Sequence, residues 1–273
     1  MNTIEINHCS FSLGSKNIIN NLTCSIKRGS RCLLVGGNGA GKTTLLRLLA
    51  GKHICKGITV FGRDVYHDTT LNFSRTFLHQ NWGLRTVSFA GQNIPYVADI
   101  MVKDMMKDLQ NEYLERRNEL IELLDINLEW RMHLLSDGQR RRVQIFLGLL
   151  RPVELILLDE ITNVLDILCR EKLMTWLFNE SIKHKTTIIQ STHIFDGLDD
   201  WYTDVICLRC NNTLSSLEYF GPKQSRTIYA QVKDWLVLDN VKESSDDFNK
   251  PNVLTQSTNS AGGFAPGRFY NYW

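Results

Sequence analysis

The chain contains 273 residues, of which 43% are hydrophobic and 22% are charged, enough for one large α/β domain with or without a small appendage. Its 31 Lys and Arg residues against 29 Asp and Glu give a formal net charge of +2, which is too balanced for an electrostatic nucleic-acid binder. No apolar run approaches the roughly 18 residues of a membrane span, and the first residues lack the pattern of a secretory signal. Composition therefore excludes membrane-inserted, secreted, fibrous and disordered proteins.

The N-terminal part predicts short strands followed by a glycine-rich loop and a helix. The predicted elements are strands at 3–7, 22–26 and 32–35, then a helix at about 42–50 that Gly51 ends. Residues 54–92 mix strand and turn patterns.

Helical periodicity begins at about residue 99 and continues to 150, with an apolar stripe at 120–124. Strand-like runs at 155–158 and 187–190 then enclose a helical stretch around 170–178. Because strands alternate with helices, we expect a largely parallel sheet.

The pattern fades after about residue 220. Residues 242–263 are rich in Ser, Asp, Asn and Gly, which predicts a mobile tail. The aromatic end at 264–273 fits either docking on the body or a partner, or an idle tail.

The seven cysteines form an odd set, and several lie in apolar runs. Without an export signal they indicate reduced thiols in a cytoplasmic or nuclear protein. Cys207-Leu-Arg-Cys210 is the only Cys-x-x-Cys. Because no second pair or histidine cluster follows it, structural thiols are expected there rather than a metal site.

A phosphate-binding loop is the first motif that carries chemistry. Residues 36–43 fit G-x-x-x-x-G-K-[ST] and lie between a predicted strand and a predicted helix. Glycines let backbone N–H groups surround the phosphates, Lys42 reaches the β- and γ-phosphates, and the Thr43 hydroxyl ligates Mg²⁺. The predicted ATP-binding residues of this loop are Gly36, Gly37, Asn38, Gly39, Ala40, Gly41, Lys42, Thr43 and Thr44.

Two carboxylates end the apolar run at 155–158. Asp159 at the strand's edge is expected to hold Mg²⁺, and Glu160 is expected to accept a proton from the attacking water. A buried strand with a polar end is the alternative, but a phosphate loop requires such a partner.

Leu135-Ser136-Asp137-Gly138-Gln139 resembles the L-S-G-G-Q signature of ABC ATPases, and the remaining motifs follow that superfamily's order. Ser191-Thr192-His193 follows a strand, and residues 163–166 stand where the D-loop belongs. The resemblance covers about residues 3–220.

The resemblance implies an α/β fold with a P-loop NTPase core of ABC type. The sheet would be mostly parallel with helices, preceded by an antiparallel β part and carrying an inserted helical subdomain at about 99–150. The nucleotide-binding domain would occupy 1–220, and a partly disordered appendage would occupy 221–273.

The resemblance also implies that ATP and Mg²⁺ bind between two domains that meet head to tail, as a homodimer or with another ABC domain. The signature residues of one chain would then contact the γ-phosphate held by the other, and His193 would hydrogen-bond it. The further ATP-site residues implied are Phe11 on adenine, and Ser136, Gly138, Gln139 and Asp166 across the interface.

Residues 130–144 and 192–198 look like the soluble, non-transporter class I ABC proteins. That group comprises plant members and a yeast member associated with the transcription and mRNA-deadenylase complex, and aspartate in the signature belongs to its pattern. Asp137 would place a carboxylate near the γ-phosphate, so we expect slow turnover. Arg140–Arg142 beside the signature is interpreted as a solvated helix face rather than an RNA-binding patch.

Two positions depart from the family pattern. The D-loop region of the subgroup commonly reads T-V-D-L-D, whereas here Asn163 precedes Val164-Leu165-Asp166, which puts contacts across the dimer in doubt. The Q-loop glutamine is either Gln80, by alignment, or Gln92, by its distance from the helical region.

Three functions fit these residues. The first is a soluble ATPase that regulates a macromolecular assembly, such as one in transcription or mRNA regulation. The second is the ATP-binding subunit of a transporter with separate membrane subunits. The third is an ATP-gated binding module with incidental hydrolysis. Motifs fix a biological role poorly, so the partner stays open.

Overall fold

The computed structural model describes residues 2–80, 82, 85–89, 92–96, 99–208 and 227–247. Eleven strands and six α-helices are present in this part of the chain. The strands are β1 (Asn2–Leu13), β2 (Lys16–Lys27), β3 (Arg31–Gly36), β4 (Ile58–Val60), β5 (Arg63–Asp64), β6 (Arg75–His79), β7 (Arg85–Phe89), β8 (Gln92–Tyr96), β9 (Leu155–Asp159), β10 (Thr187–Ser191) and β11 (Asp204–Leu208). The helices are α1 (Lys42–Leu49), α2 (Lys107–Glu112), α3 (Leu114–Leu124), α4 (Asp137–Leu149), α5 (Ile167–Lys183) and α6 (Ile228–Asp247).

A five-stranded parallel sheet in the order β11-β3-β10-β9-β6 forms the centre of the fold. Every residue of β3, β9 and β10 is buried, as expected for parallel strands covered on both faces. An antiparallel sheet in the order β2-β1-β4-β5 carries the N-terminal hairpin. This combination confirms the predicted fold class.

Two apolar clusters cover the two faces of the parallel sheet. Successive strand residues point to opposite faces, so Leu33 lies in the first cluster and Leu34 in the second. Helices α3, α4 and α5 contribute side chains to the first cluster, while β1, β2 and α1 contribute to the second. The helices α2 to α4 follow β8 and precede β9, within the region predicted to be helical.

Helix α6 lies in the appendage at 221–273, which the sequence predicts to be partly disordered. Its Ile228, Val232 and Trp235 are buried in the first apolar cluster, and the Ile228 N–H donates to Asp199 Oδ1 at 2.7 Å. Residues 242–247, which the sequence assigns to a mobile tail, continue this helix, and the mobility of that tail stays a prediction. Residues 248–273, including the aromatic end, lie outside the described residues.

The cysteines that the structure describes (9, 24, 32, 55, 169 and 207) are buried and form no disulfide. Burial raises the pKa of the Cys24 thiol to about 12, which keeps it protonated at neutral pH. Cys207 lies on β11, whereas Cys210 lies outside the described part. Over the described ranges, no group of three His, Cys, Asp or Glu side chains could hold a metal ion.

Candidate nucleotide site

The phosphate loop joins the end of β3 to the start of α1 and depends on its glycines. Gly36 and Gly41 have positive φ angles of 151° and 96°, and a Cβ at Gly36 would lie 2.3 Å from the Leu208 carbonyl oxygen. Only glycine fits there. Lys42 Nζ, on the first residue of α1, donates to the carbonyl oxygens of Gly36 at 2.8 Å and Gly37 at 3.0 Å.

The predicted loop residues all lie on this connection. Asn38, Gly39 and Ala40 form its turn, and Thr43 and Thr44 stand in the first turn of α1. The backbone N–H groups of a helix N-terminus and a glycine-rich turn form a cradle for anionic phosphates.

Asp159 at the end of β9 faces the phosphate loop. The hydroxyls of Thr43 and Ser191 both donate to Asp159 Oδ1, at 3.2 Å and 2.8 Å. A cavity of about 120 Å³ opens beside this group. Its lining residues are Thr43, Arg47, His79, Gln80, Asp159 and Glu160. Hydroxyl and carboxylate oxygens are the ligands that Mg²⁺ prefers, so the donor set fits the predicted metal.

His79 closes one side of that cavity. Burial lowers the pKa of this histidine, and the charge of Arg47 lowers it further.

Glu160 follows Asp159 in a left-handed backbone conformation, with φ of 52°. Its N–H donates to the Ser191 hydroxyl at 3.1 Å. Its carboxylate accepts from the side-chain amides of Gln80 at 2.7 Å and Asn163 at 3.2 Å, and His193 Nε2 lies 3.1 Å from the other oxygen. A non-glycine residue at positive φ is strained, and such strain clusters at functional sites.

The two candidate glutamines occupy different places. Gln80 follows the last residue of β6 and contacts Glu160 directly. Gln92 begins β8, and its side chain lies outside the described part of the chain. The structure therefore brings Gln80 to the site.

The signature begins α4. Ser136 is the N-cap, and it forms a capping box with Gln139, with bonds of 3.3 Å and 3.0 Å. Such a box satisfies two backbone donors at the helix start. Asp137 does not cap the helix; its side chain is 90% exposed and accepts from Arg140 at 3.1 Å. A Cβ at Gly138 would lie 3.6 Å from the Val164 carbonyl oxygen, an ordinary contact.

The expectation that Arg140–Arg142 form a solvated helix face is wrong. The Arg140 and Arg142 side chains are 17% and 23% exposed. Arg142 bridges Asp125 at 3.3 Å and Asp166 at 2.6 Å. Arg141 donates to backbone carbonyl oxygens at the end of β6. Arg141 and Arg142 connect elements of the same chain, a role that spacing alone does not indicate.

Asp166 is the N-cap of α5, and both of its carboxylate oxygens accept hydrogen bonds from its own chain. Its Oδ1 accepts from the Cys169 N–H at 2.9 Å, and that bond, together with Arg142, lowers the pKa of Asp166. Around it, Val164, Ile167 and Leu168 are 48%, 75% and 68% exposed. An apolar surface therefore surrounds the predicted D-loop residue.

Phe11 lies on β1 and pairs with Ile19 of β2. Its ring centroid lies 5.4 Å from that of His53, a residue that the sequence analysis did not single out. In the same hairpin, Ile18 lies so close to the loop that a Cβ at Gly41 would come within 3.1 Å of its Cγ2.

Comparisons with known proteins agree with this arrangement. Residues 19–163 match the ABC transporter family. The chain is 42% identical to ABC transporter I family member 20 of Arabidopsis thaliana, covering 82% of this chain and 70% of the relative. It is 34% identical to CCR4-associated factor 16 of Saccharomyces cerevisiae, covering 80% and 79%.

Among solved structures, the chain is similar to the ATP-binding cassette MJ0796 in a dimeric post-hydrolysis state bound to ADP and Pi. The TM-score is 0.60 at 19% identity, over 75% of this chain and 94% of that one. An ATP-binding subunit of an ABC transporter gives a TM-score of 0.64 at 18% identity, over 91% and 100%. These likenesses show the fold. Together with the sequence matches, they establish that the chain belongs to the ABC ATPase family, binds ATP and hydrolyses it, and groups with the plant class I members and yeast CCR4-associated factor 16.

Proposed function

We propose that this ATPase acts as a head-to-tail dimer, as a homodimer or with a related ABC domain, and that it regulates a macromolecular assembly rather than driving transport. Lys42 and the loop amides would bind the phosphates, while Thr43 and Asp159 would hold Mg²⁺. Bound Mg²⁺ would neutralise charge on the β- and γ-phosphates. Phe11 would contact adenine.

The contacts of the Glu160 carboxylate are the observation that supports its proposed role in ATP hydrolysis. Gln80, Asn163 and His193 hold its carboxylate beside the phosphate loop, where it can orient and deprotonate a water molecule. His193, whose Nε2 lies 3.1 Å from Glu160 Oε1, would contact that water and the γ-phosphate. Ser136, Gly138 and Gln139 would contact the nucleotide of the second chain, with Asp166 near the junction.

The dimer proposal is tested by Glu160→Gln. The amide keeps the shape of the side chain but cannot accept the proton, so turnover should fall about 100-fold or more. ATP should then remain bound and hold the dimer together, and gel filtration with ATP should show a dimer peak.

Glu154→Gln is the matched control, because the Glu154 carboxylate is 44% exposed and paired with Arg28. It should leave turnover and elution unchanged. A Glu160→Gln chain that elutes only as a monomer at saturating ATP would contradict the dimer.

Regulation of an assembly is supported by one relative, whose name describes it as CCR4-associated. Affinity purification of the Glu160→Gln chain with ATP tests this role. We expect cytoplasmic or nuclear proteins of one complex to be retained. Retention of an integral membrane protein would instead favour a transporter subunit. Over the described ranges, no helix has the length and apolar character needed to cross a bilayer.

A further inference from the structure

Arg141 connects the signature helix to the end of β6. Its two terminal nitrogens donate to successive carbonyl oxygens, Nη1 to His79 at 2.9 Å and Nη2 to Gln80 at 3.0 Å. The planar guanidinium is suited to such a pair of acceptors, whereas a lysine ammonium is a point charge. Gln144, one turn further along α4, also donates to the His79 carbonyl oxygen, at 2.8 Å.

The Gln80 carbonyl held by Arg141 belongs to the residue whose side chain holds Glu160. Gln80 Nε2 donates to Glu160 Oε2 at 2.7 Å. The three residues line one cavity of about 390 Å³, together with Asp137 at the start of α4. A continuous chain of contacts therefore runs from the signature helix through Gln80 to the carboxylate.

The neighbouring arginine does not make this connection. Arg140 donates to Asp137, the first residue of α4, and to the carbonyl oxygen of Leu135, two residues before it. Gln144 already connects α4 to β6 through the His79 carbonyl oxygen. The Arg141 bond to the Gln80 carbonyl oxygen adds a second contact, made to the residue whose side chain binds Glu160.

We propose that Arg141 is a positioning residue for ATP hydrolysis. It fixes the Gln80 backbone so that the Gln80 amide holds the Glu160 carboxylate. This inference rests on the roles proposed for Gln80 and Glu160. Since α4 also begins with the signature, movement of that helix would shift the carboxylate of its own chain.

Arg141→Met tests the proposal by keeping the aliphatic stem and removing both donors. Loss of positioning should lower kcat about tenfold, because small displacements of a reacting group are costly, and should change KM for ATP by less than about twofold. Arg141→Lys, which can reach one carbonyl, should give an intermediate kcat. Arg131→Met, which removes an exposed arginine paired with Asp99, is the control, and thermal unfolding establishes that each variant is folded.

A double-mutant cycle separates positioning from a general structural role. If Arg141 acts through Gln80, then Arg141→Met should cause little further loss in a Gln80→Ala background. An unchanged kcat in Arg141→Met, or losses that multiply in the double variant, would overturn the proposal while leaving the proposed function intact. A wild-type chain that releases no phosphate from ATP, or an unchanged kcat in Gln80→Ala, would overturn the proposed roles as well.

Discussion

At the residue scale, Asp137 is subject to two opposing electrostatic effects. A carboxylate in the first turn of a helix is favourable with the helix dipole, and Arg140 pairs with it at 3.1 Å. In the proposed dimer the same carboxylate would stand near a γ-phosphate of the second chain. Because Ser136 is the cap, Asp137 is not needed to begin the helix.

Asp137→Asn should therefore speed turnover and strengthen ATP-dependent dimerisation. Removing one like charge at close range in water is worth about 1 kcal/mol, which corresponds to about a fivefold change. Phosphate release at saturating ATP and the dimer fraction on gel filtration measure it. Asp108→Asn, an exposed position on α2, is the control. Slower turnover in Asp137→Asn would show that the carboxylate assists the reaction.

Local signals account for the site residues that the sequence predicted. The phosphate loop, the carboxylates at the end of β9 and Ser136 at the start of α4 are each recognised from a short run of neighbouring residues. The role of Arg141 has no such signal, because its acceptors are backbone carbonyls at residues 79 and 80 that any residue type could supply. Only the packing of α4 against β6 brings these groups together.

At the scale of elements, β9 can be predicted from its local sequence pattern, whereas the docking of α6 cannot. The unbroken apolar run of β9 predicts a buried strand directly. In α6 the described buried residues, Ile228, Gln231, Val232 and Trp235, include a polar one and are separated by exposed positions, and the acceptor at its first turn, Asp199, lies far away in sequence. The boundaries of the domain at 220 and of the helical region at 99–150 remain predictions.

Two valines of α6, one buried and one exposed, allow a test of whether this helix packs on the first apolar cluster. Val232 is 3% exposed and Val237 is 51% exposed. Val232→Ala removes buried methyl groups and should lower the free energy of unfolding by about 2 kcal/mol, whereas Val237→Ala should change it by less than about 0.5 kcal/mol. Urea unfolding measures both. Equal effects would mean that α6 does not pack on the domain as described.

At the scale of the whole molecule, the proposed dimer would bring the signature of one chain to the phosphate-binding cavity of the other. The residues lining the cavity at Thr43 and Asp159 come from α1 and from the ends of β6 and β9. Within the described ranges, none of them belongs to the signature at 135–139. The exposed apolar side chains around Asp166 form a surface that a second copy could cover. A symmetric pair would complete two sites at once.

Mixing two inactive variants tests whether the sites are shared. Lys42→Ala removes the phosphate-binding lysine, and Gly138→Asp adds a carboxylate to the signature at a position where a Cβ makes only ordinary contact. Each variant alone should be inactive, because both of its sites contain a damaged half. In a random mixture, half of the dimers have one intact site, so about a quarter of wild-type activity should return. If differently tagged chains co-purify with ATP but the mixture stays inactive, the two halves of a site do not come from different chains.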